Sequence, residues 1–217
     1  ARTDLSLNAV GGYGREELHL HSDIDISIIA DHSFSDDENK RLEGFLTELW
    51  DIGLEVGHSV RTLKEMKREI KRDVITATNM LDIRTIKGNK DHARKVLDDL
   101  YNNRLWSSKK YWIAKLNEQE ERYKKLDNEN FSMQPNLKNS PGGLRDIQTV
   151  IWVARKHFSV NNPEALKTLG YFTSEEYSEL LECQYFIWRV RWALHKVTGR
   201  AENQLYFEYQ ADVAGLM

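Results

Sequence analysis

The sequence is poor in cysteine and proline. It has one cysteine, Cys183, among 217 residues, so no internal disulfide can form. This usage is typical of proteins from a reducing compartment, and we expect a cytoplasmic protein. Cys183 falls in a helical pattern, where we expect a buried thiol. The prolines are Pro135, Pro141 and Pro163, and all three fall in or beside turn-like segments of the second half.

The sequence also lacks the features of membrane and nucleic-acid binding. No apolar run is long enough to span a bilayer, and the N-terminal segment is not a signal peptide. The net charge is −3, so no global basic field attracts nucleic acid or anionic lipid. The seven histidines show no i, i+4 pair on a helix, which gives no indication of a zinc site. We therefore expect neither nucleic acid nor membrane as a partner.

Short apolar segments come first and longer helical patterns follow. Apolar alternation predicts strands over residues 5–10, 23–30 and 54–61. After residue 62 the pattern becomes mostly helical. We predict an α+β protein, in which residues 1–88 form a small mixed-sheet domain and residues 89–217 form an all-helical domain.

Three finer predictions accompany this division. A helical turn is predicted over residues 14–19, a helix for the segment around Asp82, and a loop over residues 127–141. The last long helix carries an aromatic stripe at helical spacing, for which we expect core packing. The stripe consists of Leu181, Tyr185, Trp188 and Trp192. Neither end of the chain has a natural cap, so we expect a piece of a longer protein.

One motif, VGGYGREELHLHSDIDI, combines a glycine pair with two closely spaced aspartates. Asp23 and Asp25 are two residues apart in a predicted strand, so both point to one face. Two carboxylates on one wall repel each other, and a hard divalent cation removes that repulsion. Gly11 and Gly12 let the backbone approach a triphosphate closely. The combination predicts a metal-dependent nucleotidyltransferase with Mg²⁺, or Mn²⁺, bound at the aspartates.

Such a site needs a third carboxylate on a neighbouring strand. Glu55 lies between Leu54 and Val56 in a strand expected to pair with the Asp-x-Asp strand. Asp82 is the competing candidate, since it too lies between apolar residues, although in a segment predicted to be helical. We expect Glu55 to act as a metal ligand or as the base for the attacking hydroxyl, and the choice between the two stays open.

Four further residues are candidates for nucleotide binding. Ser22 precedes the first aspartate and can bind a phosphate or the ribose, or simply cap the turn. Arg145 and Lys138 flank the Pro-Gly-Gly turn that opens a helix, and Arg15 follows the glycine pair. For these basic residues a phosphate contact and a structural ion pair are both open. We expect the nucleotide between the two domains, with residues 141–146 on its far wall.

These motifs carry a resemblance. GGYGREEL followed by SDIDI resembles the signature of the polymerase-beta-like nucleotidyltransferase superfamily. Together with LEVGHSVRTLKE, ATNMLDIR and NSPGGLRDIQTVIWVARKHF, it is similar to the bacterial PII uridylyltransferase/uridylyl-removing family. The resemblance runs from about Leu7 to the C-terminus.

The resemblance implies transfer of UMP from UTP to a tyrosine of the PII nitrogen-signalling protein, with release of pyrophosphate. It also implies hydrolase and glutamine-sensing domains outside this chain. The sequence contains no His-Asp dipeptide, so we expect no uridylyl-removing activity here. Two alternatives stay open: adenylyl transfer to a protein, a tRNA or a small molecule, and a degenerate, non-catalytic nucleotide-sensing module.

Overall fold

A computed structural model of the chain describes residues 4–126 and 133–217. The strands are β1 (Leu5–Ala9), β2 (Ile24–Ala30), β3 (Val56–Thr62) and β4 (Arg84–Gly88). The first helices are α1 (Gly11–Gly14), α2 (Asp36–Asp51), α3 (Leu63–Arg72), α4 (Val74–Leu81) and α5 (Lys90–Tyr101). The later helices are α6 (Ser108–Leu126), α7 (Leu144–Phe158), α8 (Ala165–Thr168), α9 (Ser174–Thr198) and α10 (Phe207–Ala214). A small sheet followed by helices confirms the predicted α+β class.

The described residues form two compact units. The sheet unit comprises residues 4–18 and 22–107, and the helical unit comprises residues 19–21 with the described residues from 108 onward. The sequence predicts a domain boundary after residue 88, whereas the two units of the structure divide after residue 107. The reason is that α5 packs against β1 and β4 and so belongs with the sheet. Residues 127–132 of the predicted loop lie outside the described residues.

The sheet has the strand order β3-β2-β1-β4. β2 is parallel to β3 and antiparallel to β1, and β4 is antiparallel to β1, so the sheet is mixed as predicted. Ile26 and Ile28 of β2 are buried, at 5% and 2% exposure. They alternate with Asp25 and Ser27, because successive strand residues point to opposite faces. The start of β2 therefore carries polar residues on one face and core residues on the other.

Two helices of the sheet unit begin with reciprocal caps. At α2 the Ser35 hydroxyl accepts from the Glu38 N–H, and the Glu38 carboxylate accepts from the Ser35 N–H. Thr62 and Glu65 do the same at α3. Such a capping box satisfies two backbone donors of the helix end. Since Thr62 is also the last residue of β3, the chain passes from strand to helix without a loop.

Two predictions about the sheet unit were wrong. The segment around Asp82 is not a continuous helix: α4 ends at Leu81 and β4 follows. Short apolar runs fit either structure, so the pattern could not separate them. The helical turn lies at Gly11–Gly14 and not over residues 14–19. Gly14, the last residue of the turn, lies so close to the backbone carbonyl of Asp82 that a Cβ there would overlap it. The turn therefore packs closely against the segment between α4 and β4.

The helical unit has its core around large buried side chains. Tyr111 of α6 and Trp152 of α7 are at most 2% exposed. A second cluster joins α9 and α10 to the segment before α7. It consists of Leu137, Val190, Ala193, Leu194 and Val213. Along the described part of the chain, none of the helices combines the length and apolar character needed to cross a bilayer.

The predicted burial of Cys183 in α9 was wrong, and that of the aromatic stripe was wrong for two of its four residues, since only Leu181 and Trp188 are half-buried. Tyr185 and Trp192 of the aromatic stripe are 57% and 41% exposed. Cys183 is exposed as well. The buried residues of α9 are instead a mixture of apolar and polar side chains: Tyr177, Gln184, Val190, Arg191, Ala193, Leu194 and His195. Aromatic spacing identified a helix face correctly, but the tertiary contacts of that helix use a different face.

Candidate active site

The two aspartates of the motif lie at the start of β2. Asp23 directly precedes the strand and is exposed, whereas Asp25 is its second residue and is half-buried. Asp25 pairs with Gly57 of the parallel neighbour β3. Two residues apart on extended chain, both carboxylates belong to the same face of the sheet.

The Asp25 carboxylate is flanked by two glycines. A Cβ on Gly57 would overlap its Oδ1, and a Cβ on Gly11 would come 3.0 Å from its Oδ2. Gly11 also has a φ of +55°, which disfavours other residues. Both glycines are therefore required by the position of this carboxylate. The Val10 N–H donates to the Asp25 carbonyl oxygen at 3.0 Å and fixes the glycine turn against the strand.

Glu55 lies beside Asp23. It immediately precedes β3, and the Ile24 N–H donates to its carbonyl oxygen at 2.8 Å. Because β2 and β3 are parallel with Ile24 opposite Val56, the residues before them are neighbours on one face. Glu55 is exposed. Its backbone position agrees with a third carboxylate for the site, and its chemical role stays a prediction.

Asp82 has a different environment. Its carboxylate accepts from Arg15 Nη1 at 2.6 Å, and its side chain is 0% exposed. Arg15 Nε also donates to Glu17 at 2.7 Å. Burial disfavours the Arg15 charge, but the Asp82 and Glu17 carboxylates outweigh burial and raise the pKa of Arg15 above its usual value. This buried ion pair favours a structural role for Asp82 and supports Glu55 as the third carboxylate.

The glycine turn forms α1, whose first N–H groups have no partner inside the helical turn. Gly12 follows Gly11 in this turn and has ordinary van der Waals space around a Cβ position. Ser22, half-buried, directly precedes Asp23. Gly11, Gly12 and Ser22 thus lie near β2 because they are close to it in sequence, and their contacts with a nucleotide stay predictions.

The two basic candidates of the second half belong to the helical unit. The Arg145 guanidinium lies over the Trp152 ring, 5.4 Å from its centroid, and the Arg145 N–H donates to the Lys138 carbonyl oxygen at 2.8 Å. Asp146, the expected structural partner of Arg145, accepts hydrogen bonds from Gln119, Arg122, Tyr123 and the Gly142 N–H. Whether Arg145 serves as a phosphate contact or as a structural group stays a prediction.

The donor set fits a magnesium ion that is completed by its substrate. Among residues 4–126 and 133–217, no three His, Cys, Asp or Glu side chains converge as a metal-binding group, so Glu55 does not join Asp23 and Asp25 as a preformed set of three ligands. Mg²⁺ in nucleotide sites is usually held by one or two carboxylates together with substrate phosphates. Asp23 and Asp25 supply such a pair, and the glycines around Asp25 leave backbone space beside it.

A cavity of about 290 Å³ opens beside Asp25. Arg61 of β3 and Asn79 of α4 line it, and sequence analysis missed both. The signal for Arg61 was present: alternation puts Glu55, Gly57 and Arg61 on the face that carries Asp25. Asn79 lies in the segment that was predicted to be helical, and no motif or spacing in the sequence marked it as a site residue.

Further along the same face of the sheet lies a row of small polar side chains, one from each strand. Ser59 Oγ donates to Ser27 Oγ at 3.1 Å, Asn8 Nδ2 donates to the Ser27 carbonyl oxygen at 3.0 Å, and Thr85 Oγ1 donates to Asn8 Oδ1 at 2.9 Å. Ser27 and Asn8 are fully buried. The row links all four strands, and buried networks that are fully bonded make a structure rigid.

Comparisons with known proteins identify relatives along almost the whole chain. Residues 110–217 match the family model described as GlnD PII-uridylyltransferase. The bifunctional uridylyltransferase/uridylyl-removing enzyme of Ectopseudomonas mendocina (strain ymp) is 47% identical over 98% of this chain. Those of Stutzerimonas stutzeri (strain A1501) and Azotobacter vinelandii (strain DJ / ATCC BAA-1303) are 44% and 45% identical over 99% of it.

These relatives define first a class and then a family. Their names are those of bifunctional uridylyltransferase/uridylyl-removing enzymes, so at the level of class the chain is related to nucleotidyltransferases. More narrowly, it belongs to the PII-uridylyltransferase family. The chain spans 24% of the length of each of these three relatives.

Proposed function

We propose that this chain carries the nucleotidyl-transfer site of a PII uridylyltransferase and moves UMP from UTP to a tyrosine of PII. The observation that carries the proposal is the pair Asp23 and Asp25 at the start of β2, beside Glu55 at the start of β3. The relatives, which are named uridylyltransferases, support uridylyl transfer. Glutamine regulation and a cytoplasmic location, both implied by the same family, belong to this proposal.

In this mechanism the acceptor oxygen forms a bond to the α-phosphorus of UTP. The bond between the α-phosphorus and the bridging oxygen breaks, and pyrophosphate leaves with that oxygen. Asp23 and Asp25 would hold Mg²⁺, which supplies charge neutralisation for the phosphates. Glu55 would accept the acceptor proton or hold a metal near the attacking oxygen. Gly11 and Gly12 would let backbone N–H groups approach the phosphates.

The decisive experiment is incubation of the chain with labelled UTP, Mg²⁺ and PII protein. We expect label on PII, and its complete loss in Asp23→Asn and Asp25→Asn. Thermal stability should be unchanged or raised, because removal of one of two repelling carboxylates relieves strain in the metal-free protein. Asp51→Asn, at the exposed end of α2, is the matched control.

Two results would contradict the proposal. Label transfer by Asp25→Asn at the unaltered rate would exclude the metal assignment. Labelling from ATP but not from UTP would indicate a nucleotidyltransferase of another base selectivity. Modified PII is a further substrate to test, and we expect no release of UMP from it by this chain.

A further inference from the structure

The cavity beside Asp25 extends along β3 under two helices. Asp25 and Gly57 lie at one end, Arg61 lies further along the strand, and Met66 of α3 and Asn79 of α4 also line it. From Gly57 to Arg61 the strand advances by about 13 Å, since a strand rises about 3.3 Å per residue. An arginine side chain can reach back over much of that distance, so the cavity joins a carboxylate wall to a guanidinium.

Arg61 is the basic residue of this cavity. It is half-buried, and the register of β3 puts it on the same sheet face as Asp25. Across the described residues no carboxylate comes within ion-pair distance of its guanidinium; Glu65 acts on it only as a nearby charge. Glu65 itself is bound to the backbone and hydroxyl of Thr62 as a helix cap. The positive charge of Arg61 is therefore only partly offset.

Asn79 borders both the cavity and the glycine turn. Its Oδ1 lies 3.9 Å from the position that a Cβ on Gly11 would take, and α1 packs against α4. Among the described residues, its side-chain amide has no hydrogen-bond partner in the protein. An amide group in this position can bind a ligand that contacts the glycine turn and Asp25 at the same time.

We propose that this cavity binds the polyphosphate chain of the nucleotide, with Arg61 and Asn79 as its fixed side-chain donors. The α-phosphorus then lies at the Asp25 end, and the β and γ phosphates extend toward Arg61. Arginine suits this ligand because its planar group donates to two phosphate oxygens together. The inference rests on the proposed function, and it gives the sheet unit the fixed cation that the motif alone lacks.

Size and lining favour phosphates over a base. Small-molecule sites usually have about 300–1,000 Å³. The volume of about 290 Å³ thus suits part of a nucleotide. No Phe, Tyr or Trp lines the cavity within the described residues, and the His58 ring packs edge-on against Trp50 at 5.6 Å. A base would find no aromatic face there for stacking.

The test is calorimetric titration of this chain with Mg²⁺ and, separately, UTP, inorganic tripolyphosphate and UMP. Arg61→Ala should weaken UTP and tripolyphosphate binding at least about tenfold, the usual loss for a bond to a charged group, and leave UMP affinity unchanged. Asn79→Ala should weaken all three ligands, because it borders the α-phosphate end. Arg68→Ala removes an exposed arginine of α3 and serves as the control.

The outcomes separate this inference from the proposed function. Unaltered tripolyphosphate affinity in Arg61→Ala overturns the inference, as does an equal loss of UMP affinity. If Arg61→Ala does not fold, Arg61→Lys gives the answer, because it keeps a point charge and should lose only the bidentate part of the affinity. Arg61-dependent tripolyphosphate binding without UMP transfer would leave the inference standing and refute the function. If Arg61→Ala transfers UMP with an unaltered KM for UTP, the inference about the cavity is refuted and the proposed function stands.

Discussion

Both units bury polar side chains, but the sheet unit and the helical unit do so with different chemistry. In the sheet unit the buried polar groups around the site are mostly neutral, such as Ser27 and Asn8, and they bind one another across the strands. In the helical unit several are basic: Lys115, Lys156 and His195 are each at most 2% exposed. Neutral groups that bond to one another need no counter-ion, whereas a buried cation does.

Burial changes the pKa values of these lysines in the helical unit. Burial lowers the pKa of Lys156 to about 8. Burial also lowers the pKa of Lys115, although Glu118, at 2.7 Å, partly offsets this effect. The sheet unit thus surrounds its buried strand residues with neutral hydrogen bonds, whereas in the helical unit burial disfavours the charged form of Lys115 and Lys156.

The sheet unit also buries charged groups, among them the Asp82 carboxylate paired with Arg15, and breaking this pair should have the largest effect on stability. We expect Arg15→Ala to lower the free energy of unfolding by about 3–5 kcal/mol, because it leaves the Asp82 charge buried without its partner. Chemical denaturation measures this loss, with Arg41→Ala on the exposed face of α2 as the control. If Arg15 is primarily a nucleotide ligand, the variant will instead keep its stability and lose UTP affinity.

A change at Gly57 should affect activity and not stability. Gly57→Ala introduces a Cβ that overlaps Asp25 Oδ1, so the carboxylate must move. A displacement of about 1 Å at a reacting centre can cost about 100-fold in rate, and we expect a loss of that order in UMP transfer. Thermal unfolding should change little, since no positive φ constrains this strand residue.

Gly44→Ala is the matched control for this glycine. Gly44 lies inside α2 with no atom within 4 Å of a Cβ position. Alanine is favoured over glycine within helices by about 0.5–1 kcal/mol, so this variant should be more stable and fully active. Equal activity of the Gly57 and Gly44 variants would show that Asp25 does not act in transfer.

For the helical unit the corresponding change is Arg145→Ala. We expect it to weaken nucleotide binding by about 1–3 kcal/mol, as for a hydrogen bond to a charged group, without loss of metal binding at Asp23 and Asp25. A purely structural role through the Trp152 ring predicts another result: a lower Tm with unchanged UTP affinity. Titration with UTP, together with thermal unfolding of the same variant, separates the two.

Sequence patterns sufficed where one local rule determined the structure. Alternation in DIDISIIA predicted β2 and the shared face of Asp23 and Asp25, since strand periodicity depends only on the chain itself. Ser35 and the acidic residues after it begin α2 for a similarly local reason. The elements that position the motif were therefore accessible from the sequence.

The remainder depends on contacts between distant segments. β4 was missed because its five residues, RTIKG, carry only one large apolar side chain and follow a helical segment, so that only pairing with β1 identifies the strand. The pairing of Arg15 with Asp82 spans 67 residues. Asn79 borders the site only because α4 packs against α1. Spacing in the sequence contains no information on such contacts.

The smallest effect we predict concerns a histidine cluster in the helical unit. The ring of His195 lies 6.0 Å from that of His19 and 5.8 Å from that of His21. Burial, followed by the Arg191 charge, lowers the pKa of His19 and of His195 to about 4. The groups around this cluster are Trp188 and Arg191 on α9, with the Glu202 carbonyl and the Asn203 side chain beyond it. The latter two only partly counter the shift of His195.

This cluster should make stability fall as the pH is lowered through the range from 6.5 to about 4. In that range the histidines are protonated in the unfolded state and neutral in the folded state. Stability rises with pH wherever the unfolded state binds more protons. The cluster therefore costs nothing above pH 6.5, and its cost is complete below about 4. Unfolding measured at several pH values should show a shallower slope in His19→Gln. His157→Gln removes an exposed imidazole of the same unit as a control. Equal slopes in the two variants would mean that the buried cluster is not the source.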